Sequence, residues 1–326
     1  MISIKDIAKA SGVSTATVSL ALNHSDLISE QTRERVCRIA DEMGYLPNPY
    51  ARRLVKQRSD MLGLIVPDIR NVYYAALVHH VNHAVRAAGY GMIIAMSENN
   101  PAYEEKIVEE MIASRVDGLL LSPLNSVGHT LSYLEHFPLP LAFVSSRYED
   151  CPYPAVIPDY QNGMAEITRM ALEKGRKRIL FMTGPKGEYS LEERKQGFLC
   201  AAGENGMVVH CREVSYADAT EATEQLLAKA NGSLFFDAIL CVNDTMAAGV
   251  ENVLLRHGIS IPETVAVGGY DDVLFAETTA VPLTTVKQDI KMIAETAVSL
   301  LLKRIAGNKI PQITTVPVTL IHRDSL

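Results

Sequence analysis

The sequence predicts an α/β protein carrying a separate all-helical head: a three-helix, helix-turn-helix unit followed by parallel sheets flanked by helices in two lobes. Three observations predict it. Residues 4–23, IKDIAKASGVSTATVSLALN, read as two short helices broken by one glycine-centred turn. Pro47 and Pro49 then end the helical pattern. From Met61 the texture becomes apolar strands (LGLIVPDI, GMIIAMS, GLLLSP, LAFVSS, RILFMTGP, AILCVND, VAVGGYDD) separated by amphipathic helices. Continuous apolar strands of that kind belong to sheets covered on both faces.

In the head, Ile4, Ile7 and Ala8 share one face of a first helix. Gly12 suits the left-handed residue that stops it, and Val13 returns to the core. Ser14 offers a cap to a second helix from Thr15 to about Asn23. At about 100° per residue, Val18, Ala21 and Leu22 face one way, and Ala16, Ser19, Leu20 and Asn23 the other. A short helix with one buried and one small, mostly polar face suits a DNA major groove. Ser29 caps a third helix to about Met43, with Val36, Ile39, Ala40 and Met43 as its stripe and Gly44 closing it. The stretch 46–59, LPNPYARRLVKQRS, is the clearest boundary: Tyr50 to Lys56 has room for about two helical turns, which need a partner to order. The expected domains are therefore 1–45, a linker at 46–59, and a core at 60–326. Within the core the weaker strand AVIPD (155–159) precedes a restart of the strand–helix pattern, which predicts two similar lobes with a cleft lined by strand ends.

Charge divides along the same boundary. The chain of 326 residues has a formal charge of −7, yet residues 1–59 hold nine Lys/Arg against six Asp/Glu, or +3, leaving −10 for the rest. A basic head on an acidic body fits a nucleic-acid module joined to a domain for another class of ligand. Five cysteines (37, 151, 200, 211, 241) without metal spacing read as free thiols in a reducing compartment. The apolar runs are too short for a membrane span, and the N-terminus has no signal-peptide pattern, so a cytoplasmic protein is expected. GxSxG, P-loop, HExxH and GxGxxG patterns are missing, which argues against an enzyme. His79 and His83 have the i,i+4 spacing of metal ligands but no neighbouring acid or cysteine motif, so no metal and no cofactor are expected.

Several polar residues fall at strand ends: Ser145-Ser146, Asn243-Asp244 and Asp271-Asp272. They can converge on a ligand; Asn243 and Asp271 equally suit helix caps or turns, and Arg194 a salt bridge with Glu192 or another carboxylate.

Together with ISEQTRERV, GYLPNPYARRL, LGLIVPDIRNVYY, ERKQGF, VNDTMAAG, VGGYDD, LTTVKQD and a terminal IHRDS, these residues resemble the lactose/galactose repressor family over the whole chain. The resemblance implies a dimeric repressor with a DNA-binding head, a hinge helix and a periplasmic-binding-protein-like core. In that core the chain crosses three times between one lobe (about 60–158 and 290–317) and another (159–289 and 318–326). By resemblance, Thr15, Ala16 and Leu20 read bases, and Ser3, Ser14, Thr17, Ser19, Asn23, Ser29, Thr32, Tyr45 and Asn48 contact phosphates. Leu54, flanked by Ala51 and Arg52, takes the place of a minor-groove wedge, with packing between paired hinge helices as its alternative. The effector contacts map to Tyr73, Tyr74, Ser145, Ser190, Arg194, Tyr216, Asn243, Asp271 and Gln288, and imply a carbohydrate-like small molecule. Two positions depart from the family. Leu20 replaces an arginine that bonds guanine, so a different operator is expected. Ser145 replaces an acid, which suggests a smaller, acidic or phosphorylated ligand. A chain ending without a heptad tail is expected to stop at a dimer. Competing readings are a transport binding protein, which the basic head opposes, and a regulator whose effector is a protein.

Overall fold

The computed structural model describes residues 2–22, 25–45, 58–124, 134, 136–137, 139–148 and 151–326, which divide into two compact units at Ser59 and Asp60. The sites expected at Asn23, Asn48, Ala51 and Leu54, and nearly all of the linker, lie outside the described residues.

The first unit contains helices α1 (Ile4–Ser11), α2 (Thr15–Leu22) and α3 (Glu30–Glu42). Ile7, Val18, Ala21, Val36 and Ala40 form its core, with Ile4, Val13, Leu22, Ile28, Ile39, Met43 and Tyr45 packed around them. Gly12, at φ 67°, ends α1 in the left-handed conformation, where a Cβ would be strained. The same device starts both later helices: Thr17 N–H donates to Ser14 Oγ at 3.1 Å, and Thr32 N–H to Ser29 Oγ at 3.3 Å.

The second unit holds two parallel sheets. In the first lobe the strand order is β11-β5-β4-β3-β1-β2, with β1 (Met61–Val66), β2 (Gly91–Met96), β3 (Gly118–Leu121), β4 (Leu141–Val144), β5 (Ala155–Pro158) and β11 (Ile313–Val316). Side chains alternate strictly across it. Leu62, Leu64, Val66, Leu120, Ala142 and Val144 face α4 (Val72–Ala87) and α10 (Ile290–Ile305); Ile65, Leu119, Leu121, Leu141 and Phe143 face α5 (Pro101–Ala113). Burial on both faces is why these strands are continuous apolar runs.

The second lobe orders its strands β7-β6-β8-β9: β6 (Ile179–Thr183), β7 (Gly206–His210), β8 (Ala238–Cys241) and β9 (Ala266–Gly268). Around them pack α6 (Tyr160–Glu173), α7 (Tyr189–Ala202), α8 (Tyr216–Ala230) and α9 (Asp244–Arg256). β10 (Thr285–Gln288) pairs antiparallel with β12 (Val318–Ile321), and lone bridges at Gly268–Thr284 and Asp271–Lys287 join this pair to the sheet's end.

The chain passes between lobes after β5, after β10 and between β11 and β12. The first two passages are built alike. Asp159 and Asp289 each cap the helix that follows, accepting from Asn162 N–H and Met292 N–H, with nearly equal backbone angles (φ −77°, ψ 73° and 78°). Residues next to these two aspartates lie at the same place in both passages, and two of them belong to the site below. No described helix is long and apolar enough to cross a membrane.

Candidate functional site

In the core unit a polar cluster is assembled from both lobes beside the two capped passages. Its centre is Arg194 on α7, only 7% exposed. The guanidinium lies between two aromatic rings, 4.5 Å from the Tyr160 centroid and 4.4 Å from that of Tyr270. Its Nη1 donates to Val242 O at 2.9 Å, and Nη2 lies 3.6 Å from Asp271 Oδ1. Gln288, the residue before Asp289, donates from Nε2 to that same oxygen at 2.5 Å. Tyr160, the residue after Asp159, donates its hydroxyl to Ser145 O at 2.5 Å. Ser145 Oγ in turn shares a 2.6 Å hydrogen bond with the Tyr73 hydroxyl. Tyr73 meets Tyr74 edge-on at 5.3 Å, and Ser122 Oγ donates to Tyr74. A continuous set of contacts thus runs from Tyr73 and Ser145 in one lobe, through Tyr160, to Arg194, Asp271 and Gln288 in the other.

Both carbonyl-side anchors are strained. Ser145 has φ 63° and Asp271 φ 109°, values that side chains other than glycine's rarely adopt. Such conformations persist where surrounding bonds over-determine them, commonly at ligand sites. Asp271 is held by its N–H donating to Val286 O at 2.8 Å as well as by Gln288 and Arg194. Burial raises its carboxyl to about 6, and Arg194 and Gln288 pull the other way. Beneath it, Asp244 is fully buried and accepts from Thr285 Oγ1 at 2.5 Å and Val273 N–H at 2.9 Å. A Cβ on Gly269 would come within 2.1 Å of Asp244 Oδ1, so only glycine leaves room for this brace.

Of the expected effector residues, Tyr73, Tyr74, Ser145, Arg194, Asp271 and Gln288 are brought together. Ser190 is beside them but donates to Glu188 Oε1 at 2.7 Å. Asn243 caps α9, accepting from Met246 N–H at 2.9 Å, while the preceding Val242 carbonyl holds Arg194. Asp271 caps no helix, and Arg194 pairs with it rather than with Glu192, which pairs with Lys195. Tyr216 stands apart. The first residue of α8 is 44% exposed and lines a surface cavity with Ala248, Glu251, Leu255 and Thr279, because α8 turns Ala219 and Thr223 inward instead. Three residues of the site went unsuspected: Tyr160, Tyr270 and Glu188. Tyr270 directly precedes Asp271, a strand-end aspartate already under suspicion, and Tyr160 follows the aspartate that ends AVIPD, which are the signals that mark them.

In the head, the residues expected to face DNA differ in exposure. Thr15 and Ala16 are exposed, and Leu20, half-buried, is not part of the apolar cluster formed by Val18, Ala21 and Leu22. Ser14 Oγ and Thr17 Oγ1 lie 2.9 Å apart, as do Ser29 Oγ and Thr32 Oγ1. Ser3 donates from both N–H and Oγ to Asp6 Oδ2, which holds that carboxyl below its usual range. Ser19 lies half-buried on α2, and Tyr45 packs its ring on the head core. Among the described residues no group of three His, Cys, Asp or Glu side chains gathers to hold a metal; His79 and His80 stack edge to face at 5.1 Å.

Residues 3–48 match the bacterial regulatory proteins, lacI family, and residues 168–326 match the periplasmic binding protein-like domain. The HTH-type transcriptional regulator GalR of Escherichia coli (strain K12) is 30% identical over 100% of this chain and 96% of its own length. Among solved structures, the transcriptional regulator CelR–cellobiose complex is 28% identical, covers 100% of both chains and has a TM-score of 0.74. The Lac repressor bound to ONPG in the repressed state is 25% identical over 100% of this chain and 99% of that one, with a TM-score of 0.88. A capped, two-faced helix pair in the head, a two-lobed core with a polar cluster at its crossings, and full-length similarity to such regulators lead to one conclusion: this chain belongs to the lacI family of bacterial regulatory proteins and is a transcriptional regulator, not an enzyme.

Proposed function

We propose that the chain is a cytoplasmic, ligand-responsive repressor that binds a pseudo-palindromic operator as a homodimer. The observation that carries the DNA side is the division of α2: Val18 and Ala21 are buried in the head, while Thr15 and Ala16 are exposed and Leu20 lies outside the core cluster. In this reading Thr15, Ala16 and Leu20 meet base edges in the major groove. Ser3, Ser14, Thr17, Ser19, Asn23, Ser29, Thr32, Tyr45 and Asn48 fix register on phosphates. Paired leucines at position 54, next to Ala51, wedge the minor groove at the operator centre. A three-helix head alone makes few contacts, and pairing two heads on an inverted repeat supplies the remainder.

The effector is a small carbohydrate-like molecule held between the lobes by Tyr73, Tyr74, Ser145, Arg194, Asp271 and Gln288, with Ser190 and Asn243 at the margin. Aromatic rings beside hydrogen-bonding side chains suit a sugar, whose ring has both apolar faces and polar edges. Two of the surrounding residues, Tyr160 and Gln288, adjoin the passages between lobes. A ligand seated there changes how the lobes pack, and through the paired cores it changes the spacing of the two heads.

Binding equilibria linked in this way are reciprocal. Operator affinity of the full-length chain, measured with and without a sugar that raises its melting temperature, changes by some factor. The sugar's affinity with and without operator duplex changes by that same factor, typically about 5–150-fold. Stabilisation by a sugar with no change in operator affinity in either direction would contradict the proposal.

A further inference from the structure

Resting on the carbohydrate reading of the cluster, the structure points to a narrower ligand class: we infer that the site takes a polyhydroxylated ligand carrying an amino group, and that Glu188 is the residue that selects it. Glu188 immediately precedes α7, one turn and a half before Arg194. Ser190 Oγ donates to its Oε1, and no described lysine, arginine or histidine forms an ion pair with it. Ser190 and Arg194, four residues apart, are both buried on one face of α7, so Glu188 adjoins the cluster through its bond to Ser190. Its charge also bears on Tyr74 and Arg194. Burial pushes its carboxyl up, with Ser190 and Arg194 opposing.

The cation at the centre of the cluster is already committed. Arg194 has Nη1 on Val242 O, Nη2 near Asp271, and a tyrosine ring on each face. A phosphate or carboxylate on the ligand would have to displace Asp271 and would also face Glu188. The inferred ligand therefore departs from the acidic or phosphorylated ligand suggested by the serine at 145. The cluster keeps an acceptor and a donor unsatisfied. Gln288, 3% exposed, has a buried Oε1 with no hydrogen-bond partner, and Arg194 Nε is likewise buried and unpartnered. A ligand hydroxyl can accept from Nε or donate to Oε1, whereas an ionised phosphate oxygen does only the first. A half-buried carboxylate that has no ion pair among the described residues is open to a ligand ammonium, which satisfies it with a charge-assisted bond.

The test uses the full-length protein and matched sugar triplets: glucose, glucosamine and glucose 6-phosphate, then galactose, galactosamine and galactose 6-phosphate. Thermal shift finds the triplet and calorimetry ranks its members. The amine is expected to bind about tenfold tighter than its neutral parent, with the phosphate weakest. In Glu188→Gln the amine-to-neutral ratio is expected to fall towards one. Equal binding of amine and parent by the wild-type protein, a phosphate that binds most tightly, or an amine preference that survives Glu188→Gln would each overturn the inference and leave the carbohydrate reading intact. No stabilisation by any member of either triplet would overturn both.

Discussion

At the scale of single residues, the polar cluster between the lobes is governed by how few charges it contains and how far they are buried. Asp271 has a raised carboxyl, near 6 against an ordinary value of 3.8, because burial outweighs its pairing with Arg194. The native state therefore holds a proton between those values that the unfolded chain has released. For this group stability falls as pH rises from about 4 to 6 and then levels, since a raised acid opposes folding once the solution pH exceeds its native value. Asp271→Asn removes this slope. Melting temperatures of the wild type and variant, compared at about pH 5 and pH 7.5, should show the wild type losing more on going to the higher pH. An identical change in both proteins would show that Asp271 does not titrate in that window. Leu20 presents the opposite chemistry in the head. A leucine can meet a thymine methyl or exclude water, but it offers no donor to guanine O6 and N7.

At the scale of elements, close packing of helices in the second lobe depends on a few absent side chains. A Cβ on Gly197 would come within 2.2 Å of Gln161 O, so α6 and α7 approach backbone to backbone only because this position is glycine. Gly197→Ala should destabilise the protein by about 1–3 kcal/mol, the usual cost of forcing a methyl into a packed contact. Chemical denaturation checks this; no loss would mean that the two helices separate freely. Since Arg194 lies on α7 and Tyr160 on α6, the same substitution is also expected to disturb the cation–aromatic stack.

The strongly apolar strands were legible in the sequence for a physical reason: buried on both faces, they leave no place for polar residues. The elements that the sequence does not announce are β7, β10, β11 and β12. β7 and β11 are sheet edges and β10 and β12 form a separate ribbon, with threonines, lysine or histidine exposed on one side. In the head, helix caps and stripe residues alike could be read from spacing, because local hydrogen bonds at Ser14 and Ser29 set the boundaries. The cluster was partly legible, since strand-end polar residues converge by construction in parallel sheets. Tyr216 shows the limit: which way a helix's first residue faces depends on the neighbouring helix it packs against, and that is a tertiary fact.

At the scale of the whole molecule, a basic head of +3 and a body of −10 fit the proposed division between an anionic duplex and a ligand of another class. In the proposed reading the body's negative charge repels DNA, which leaves the duplex to the basic N-terminal residues. Ser145, Tyr160, Arg194, Asp271 and Gln288 span both lobes in one run of contacts, and a ligand in their midst bears on both lobes at once. The central claim is that this chain, as a pair, reads an inverted repeat. Selection from a random pool of DNA duplexes with the full-length protein tests it most directly. The account predicts enrichment of an inverted repeat with a flexible pyrimidine–purine step at its centre, where the Leu54 wedge enters, and no guanine preference at the base that faces Leu20. A single unrepeated site, or a repeat with guanine fixed at that base and lost in Leu20→Ala, would contradict it.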